Sequence, residues 1–220
     1  MKRRPSPNYD ERPPGTPIDM LVIHYTGMEN AEAAIERLCD PDAEVSAHYM
    51  IDEDGSIIQL VEEDYRAWHA GEGYWRGHRD INARSIGIEL VNTGHQFGYR
   101  PFAESQMRRL ETMALDIVRR HQIPARNVVG HSDVAPRRKE DPGELFDWFR
   151  IFDFGVGVWP ERASDCEIDD DEATHLLQAF GYETVDLAAT LKAFQCHFRP
   201  ANINGKLDEE TAGLLKCLPS

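Results

Sequence analysis

Asp19-Met20-Leu21-Val22-Ile23-His24-Tyr25-Thr26-Gly27 carries four consecutive apolar side chains, then a histidine, then a turn signal. An unbroken apolar run describes a strand covered on both faces, and Thr26 with Gly27 ends it. The exit of such a strand is where α/β sheets place their working residues. Taken alone, His24 reads as an ordinary, satisfied strand-end histidine. A second stretch meets it: Gly130-His131-Ser132-Asp133-Val134-Ala135-Pro136-Arg137-Arg138-Lys139-Glu140-Asp141-Pro142-Gly143, which follows the short apolar run at 127–129. A strand there delivers His131 to the mouth of a loop that Pro136 and Pro142 keep from becoming helix. An imidazole and a carboxylate are good zinc ligands, whereas an ammonium cannot bind the metal but can face an anion formed beside it. An ordinary polar turn is the competing reading of this loop. The third stretch, Ser85-Ile86-Gly87-Ile88-Glu89-Leu90, is a central strand interrupted by one acid. A carboxylate there is expensive to bury unless it is paired, close to a metal, or protonated; a salt-bridged structural glutamate is the alternative.

Read in order, Val22-Ile23-His24-Tyr25-Thr26, Ser46-Ala47-His48-Tyr49-Met50-Ile51, Arg66-Ala67-Trp68-His69-Ala70-Gly71, the Glu89 strand and the 130–143 loop resemble the zinc-dependent N-acetylmuramoyl-L-alanine amidases related to phage amidases and peptidoglycan recognition proteins. The likeness covers roughly residues 19–150, and ordered motifs are far more specific than any single one. It implies one Zn2+ per chain held by His24, His131 and Asp141, with Glu89 and Lys139 as the catalytic pair. Substrate contacts are expected from His48, Trp68, His69, Asn92 and Arg138, with His69 near the site but not a ligand; for His48, at a place where some relatives carry a tyrosine, a hydrogen bond behind the site is an equal alternative. The expected reaction is hydrolysis of the amide joining N-acetylmuramic acid, or its 1,6-anhydro form, to L-alanine of the stem peptide. The expected role is cell-wall recycling, with muropeptides as partners. A peptidoglycan-recognition protein without catalysis is the alternative, and would be expected to have lost a ligand or the base.

Around these motifs the chain supplies a scaffold. Asn30 caps a helix through Ala34, Ile35 and Leu38, which Pro41 ends. Residues 45–51 and 57–61 form a hairpin about Asp54-Gly55, and 102–121 is the longest amphipathic helix. Residues 144–149 are expected to add a short helix. Between 65 and 80, Trp68, Tyr74 and Trp75 lie among glycines without periodicity, which suits either rings stacking on a sugar or a hydrophobic cluster beneath a long loop. The fold class is α/β: a central mixed β-sheet flanked by helices, followed by a small three-helix bundle.

The expected divisions are an extended, proline-rich arm at 1–17, the catalytic domain at 18–160 and the small domain at 165–220. In the last, Asp169 opens one helix, 186–198 forms a second and 208–218 a third. The run Leu191-Lys192-Ala193-Phe194-Gln195-Cys196-His197-Phe198 with Gly205-Lys206-Leu207-Asp208 resembles the peptidoglycan-binding module often joined to such amidases. Its Asn204-Gly205-Lys206-Leu207-Asp208 departs from the shorter turn typical there. His175 and His197 read as core or surface histidines rather than further ligands.

A formal charge of −15 over 220 residues argues against nucleic acid or an anionic membrane as a partner. No apolar run is long enough to span a bilayer, and residues 1–16 lack the apolar core of a secretory signal. The chain as it stands is therefore expected to be cytoplasmic and monomeric, and exported only if an N-terminal segment is missing. Cys39, Cys166, Cys196 and Cys217 are widely spaced, which favours buried free thiols over a structural zinc or a redox motif, with a Cys196–Cys217 disulfide the alternative only in an oxidising compartment.

Overall fold

The computed structural model describes residues 1–160 and 165–218. Its strands are β1 (Lys2–Arg3), β2 (Tyr9–Glu11), β3 (Met20–Tyr25), β4 (Tyr49–Ile51), β5 (Ile57–Gln59), β6 (Tyr65–Ala67), β7 (Ser85–Leu90) and β8 (Val128–Gly130). Its helices are α1 (Ala31–Cys39), α2 (Ile81–Arg84), α3 (Glu104–His121), α4 (His131–Val134), α5 (Trp148–Asp153), α6 (Asp170–Phe180), α7 (Leu187–Phe198) and α8 (Glu209–Lys216). The main sheet runs β1-β5-β4-β7-β3-β8, and β2 pairs with β6 in a separate ribbon. Among the described residues only β4 and β5 pair antiparallel within the main sheet, so it is mixed, with β3 and β7 at its buried centre.

Side-chain alternation on β3 divides the interior. Leu21 and Ile23 face a core shared with Ile86, Ile88 and Leu90 of β7 and with Met107, Leu110, Ala114 and Ile117 of α3. Met20 and Val22 face the other way, joining Trp75, Ile81 and Val129. That second core continues without a break into Leu177 and Phe180 of α6, Leu191 and Phe194 of α7, and Leu215 of α8. The three C-terminal helices therefore pack on the sheet domain and share its core, whereas the sequence had suggested a small companion domain. Farther along the same face, Ala34 and Leu38 of α1 cover Met50 and Ile58, leaving a gap between α1 and the 131–141 loop.

Several local expectations change. The arm at 1–17 does not simply lie on the surface: β1 adds an edge strand to β5, and Ser6 and Asn8 bind the carbonyls of Leu38, Asp40 and Val45. Trp75 is 1% exposed and meets Phe180 and Tyr182 edge-on at 5.7 and 5.0 Å, so it is core rather than a stacking platform. The helix expected at 144–149 starts at Trp148, because Gly143 (φ 84°) opens a turn and Asp147 caps the helix by accepting from Arg150 N–H. The caps expected at Asn30 and Asp169 are present, accepting from Ala33 and Glu172 N–H. Among the described residues no helix is long and apolar enough to cross a membrane.

Arg12 ties the arm to the sheet. Its guanidinium donates to the carbonyls of Glu63, Asn82, Ala83 and Ser85 at 2.8 to 3.1 Å, acceptors that no neutral side chain of similar size can satisfy together. Arg12→Ala is expected to lower unfolding free energy by about 2 to 4 kcal/mol, because charged hydrogen bonds are lost and shielded carbonyls left unpaired. Urea denaturation of the parent and variant, read by tryptophan fluorescence, measures it.

Candidate functional site

Parallel pairing sets His24 of β3 directly beside Glu89 of β7. On the other side Ile23 pairs with Gly130, so His131 leaves β8 on the same face as His24. The loop beyond it begins with the helical turn α4, which the two prolines permit because both lie outside it. Ser132 N–H donating to the carbonyl of Asp141 at 2.9 Å closes the loop and returns Asp141 to the histidines. His24 Nδ1, His131 Nδ1 and Asp141 Oδ2 then lie 3.0 Å from one another, and all three residues are buried.

The protons on these rings follow from their partners. Ser85 donates its hydroxyl to the carbonyl of Ile81 at 2.7 Å, so its oxygen accepts from His69 Nε2–H at 3.0 Å. His69 Nδ1 is then the acceptor for His24 Nε2–H, also at 3.0 Å, which leaves the lone pair of His24 on Nδ1. His131 Nε2–H donates to the carbonyl of Ala70 at 2.9 Å, with the same result. Burial first, and the charge of His131 second, lowers the pKa of His24 to about 4. Burial, followed by the charge of His24, holds His69 well below its ordinary value. Three proton acceptors thus converge with no proton to share. That donor set fits a metal cation: two neutral imidazoles and one carboxylate, each ring oriented from behind by a hydrogen bond.

Beside this centre opens a cleft of about 410 Å³, lined by Trp68, His69, Glu89, Arg138 and Lys139 as well as His131 and Asp141, with α1 as its far wall. Glu89 is half-buried at the floor, and its shielded Oε2 has no hydrogen-bond partner among the described residues. Burial, then the charge of Asp141, raises its pKa well above the ordinary value; Lys139 opposes the rise. An acid set beside the His24, His131 and Asp141 cluster and a lysine is equipped for proton transfer. Arg138 lines the cleft but spends Nη2 on the carbonyls of Ala70 and Glu72.

Two expected substrate contacts are displaced. His48 is fully buried: its Nδ1 accepts from Gly87 N–H and its Nε2 faces the carbonyl of Tyr65. Asn92 is 1% exposed and is used up by Arg100 O and Gly94 N–H. Both hold backbone together rather than reach the cleft. Ser85 and Gly87 were not singled out in the sequence, although small residues on one face of a buried strand signal a close approach. A Cβ at Gly87 would lie 2.5 Å from His69 Cγ, so the ring rests on that glycine.

Comparison with known proteins identifies the family and the fold. The family model described as N-acetylmuramoyl-L-alanine amidase matches residues 14–144. The chain is 37% identical over 229 residues to the N-acetylmuramoyl-L-alanine amidase AmiD of Escherichia coli (strain K12), covering 91% of this chain and 82% of that one. The structure of AmiD with the substrate anhydro-N-acetylmuramic acid-L-Ala-D-gamma-Glu-L-Lys superposes with a TM-score of 0.84 at 36% identity, covering 93% of this chain and 90% of that one. AmpDH3 of Pseudomonas aeruginosa in complex with anhydromuramic pentapeptide gives a TM-score of 0.84 at 32% identity, covering 98% and 94%. The 1,6-anhydro-N-acetylmuramyl-L-alanine amidase AmpD of Enterobacter cloacae is 36% identical over 164 residues, 67% of this chain and 86% of that one.

Gly87→Ala is expected to drive His69 off its seat and break the chain from Ser85 to His24. Divalent-metal affinity of the stripped protein should fall by about 10- to 100-fold, and stability by about 1 to 3 kcal/mol. Co2+ titration by absorbance and urea denaturation report the two effects separately.

Proposed function

The chain belongs to the N-acetylmuramoyl-L-alanine amidase family, and from that premise we propose a zinc-dependent hydrolase that frees stem peptides from anhydro-muropeptides in cell-wall recycling. The observation that carries this reading is the convergence of His24, His131 and Asp141 on one point of a cleft that also holds Glu89 and Lys139. The relatives crystallised with anhydro-muramyl peptides support the substrate class.

His24, His131 and Asp141 would hold the ion, and a Zn2+ bound there would supply Lewis acidity and make water acidic enough to be deprotonated near pH 7. Glu89 takes a proton from the water that attacks the lactyl carbonyl, then passes it to the nitrogen of L-alanine as the carbon–nitrogen bond breaks. A new carbon–oxygen bond leaves the muramic carboxylate, and the peptide departs with a free amino terminus. Lys139, on the stiff loop two residues before Asp141, faces the carbonyl oxygen while it gains negative charge. Trp68 and Arg138 border the cleft and contact the substrate. Ser85 and His69 hold His24 in the tautomer that binds metal, and so act on the reaction only through that ring.

Glu89→Gln is expected to keep its zinc but lower kcat by about 10²- to 10⁴-fold, and Lys139→Ala to lower it by about 10²- to 10³-fold. Metal analysis of the purified chains, with mass spectrometry of products from anhydro-muropeptide and from intact sacculus, tests both. Release of a peptide beginning with L-alanine, preferentially from the soluble substrate, supports recycling; preference for the sacculus assigns the activity to the wall. Zinc bound with neither substrate cut replaces the enzyme by a recognition protein. Removing the ion with a chelator should abolish hydrolysis, and added Zn2+ should restore it.

A further inference from the structure

Asp133 lies two residues beyond His131, 1% exposed, and takes two of its three donors from outside its own loop. Its Oδ2 accepts from Gly130 N–H at 2.7 Å, immediately before His131, and from His197 Nδ1 of α7, also at 2.7 Å. Its Oδ1 accepts from the hydroxyl of Tyr182, in the turn between α6 and α7, at 2.7 Å. His197 is 4% exposed and is clamped flat between Trp148, with ring centroids 3.8 Å apart, and Phe198 at 4.0 Å. Trp148 in turn crowds Gly130, whose added Cβ would stand 3.2 Å from it. The carboxylate thus brackets His131 on both sides along the chain, and two of its three donors come from the C-terminal helices.

We propose that these helices brace the metal centre: Tyr182 and His197, acting through Asp133, are positioning residues that fix where His131 presents its Nδ1. The inference rests on His131 being a metal ligand, and it gives the C-terminal module a task separate from holding cell wall. A buried carboxylate deprived of donors must be resolvated or move. Either response shifts the α4 turn, and with it one corner of a donor set whose members stand 3.0 Å apart.

The test uses the full chain, stripped of metal and titrated with Co2+ by absorbance and with Zn2+ against a chromophoric chelator. His197→Leu is expected to weaken both affinities at least about tenfold and to shift the Co2+ ligand-field bands. His197→Gln, which retains an N–H donor, should recover most of the loss, and Tyr182→Phe should cost about threefold. Leu177→Ala removes core packing in α6 without touching Asp133, and so matches the destabilisation while leaving affinity and spectrum at parental values. If Leu177→Ala and His197→Leu weaken binding equally, or if neither does, the brace is general stability and the proposal fails. Should His197→Leu not fold, Tyr182→Phe decides: an unchanged affinity overturns the inference. Co2+ binding that follows this pattern in a protein that cleaves no muropeptide would retire the amidase reading and leave the brace standing.

Discussion

The convergence of three proton acceptors at one buried point is the constraint that the surrounding structure answers. Two imidazole nitrogens and a carboxylate oxygen 3.0 Å apart repel one another unless a cation sits between them. They can be held there only if the rings are gripped from the far side. Ala70 supplies a carbonyl for one ring; for the other, His69 and Ser85 form a relay that ends on the Ile81 carbonyl. Neither grip works without the sheet, because the register of β3 against β7 and β8 decides which face His24, Glu89 and His131 share.

That shared face is also where the fold gives up packing. β7 presents Ser85, Gly87 and Glu89 toward the site while Ile86, Ile88 and Leu90 serve the opposite core. The half of the strand that builds stability is thereby separated from the half that builds chemistry. The cost is local: a glycine with no side chain to bury, a serine spent on a relay, and an acid with one oxygen unpaired among the described residues. The α3 layer and the core under the C-terminal helices offset it.

The strand before His24 was legible because its apolar run is uninterrupted, and His24 and His131 because each follows an apolar run, whereas Asp141 follows Arg137-Arg138-Lys139-Glu140 and depended on the family resemblance. Glu89 stood out as the one acid in a buried strand. What escaped was everything set by contacts distant in sequence. His48 and Asn92 sit in motifs next to the site, but residue type does not reveal that their polar atoms are already committed to backbone groups. Nothing local to Arg12 announces four carbonyls waiting for it on three other segments. The sequence leaves His197 either core or surface; the structure buries it, and its partner Asp133 lies 64 positions away, beyond the reach of any pattern of spacing. Trp75 lacked periodicity because it answers to α6 and its following turn, not to neighbours in its own loop.

β1 has a consequence for how molecules of this protein meet one another. A sheet edge is a row of unpaired backbone groups and a template for another chain. Here β5 would be that edge, and Lys2 and Arg3 occupy it with a strand too short to recruit a neighbour and too charged to stack on one. Both side chains are exposed, so an approaching copy meets two cations before it meets a hydrogen-bonding surface. That short, charged strand limits the length of backbone the sheet offers to another chain on this side.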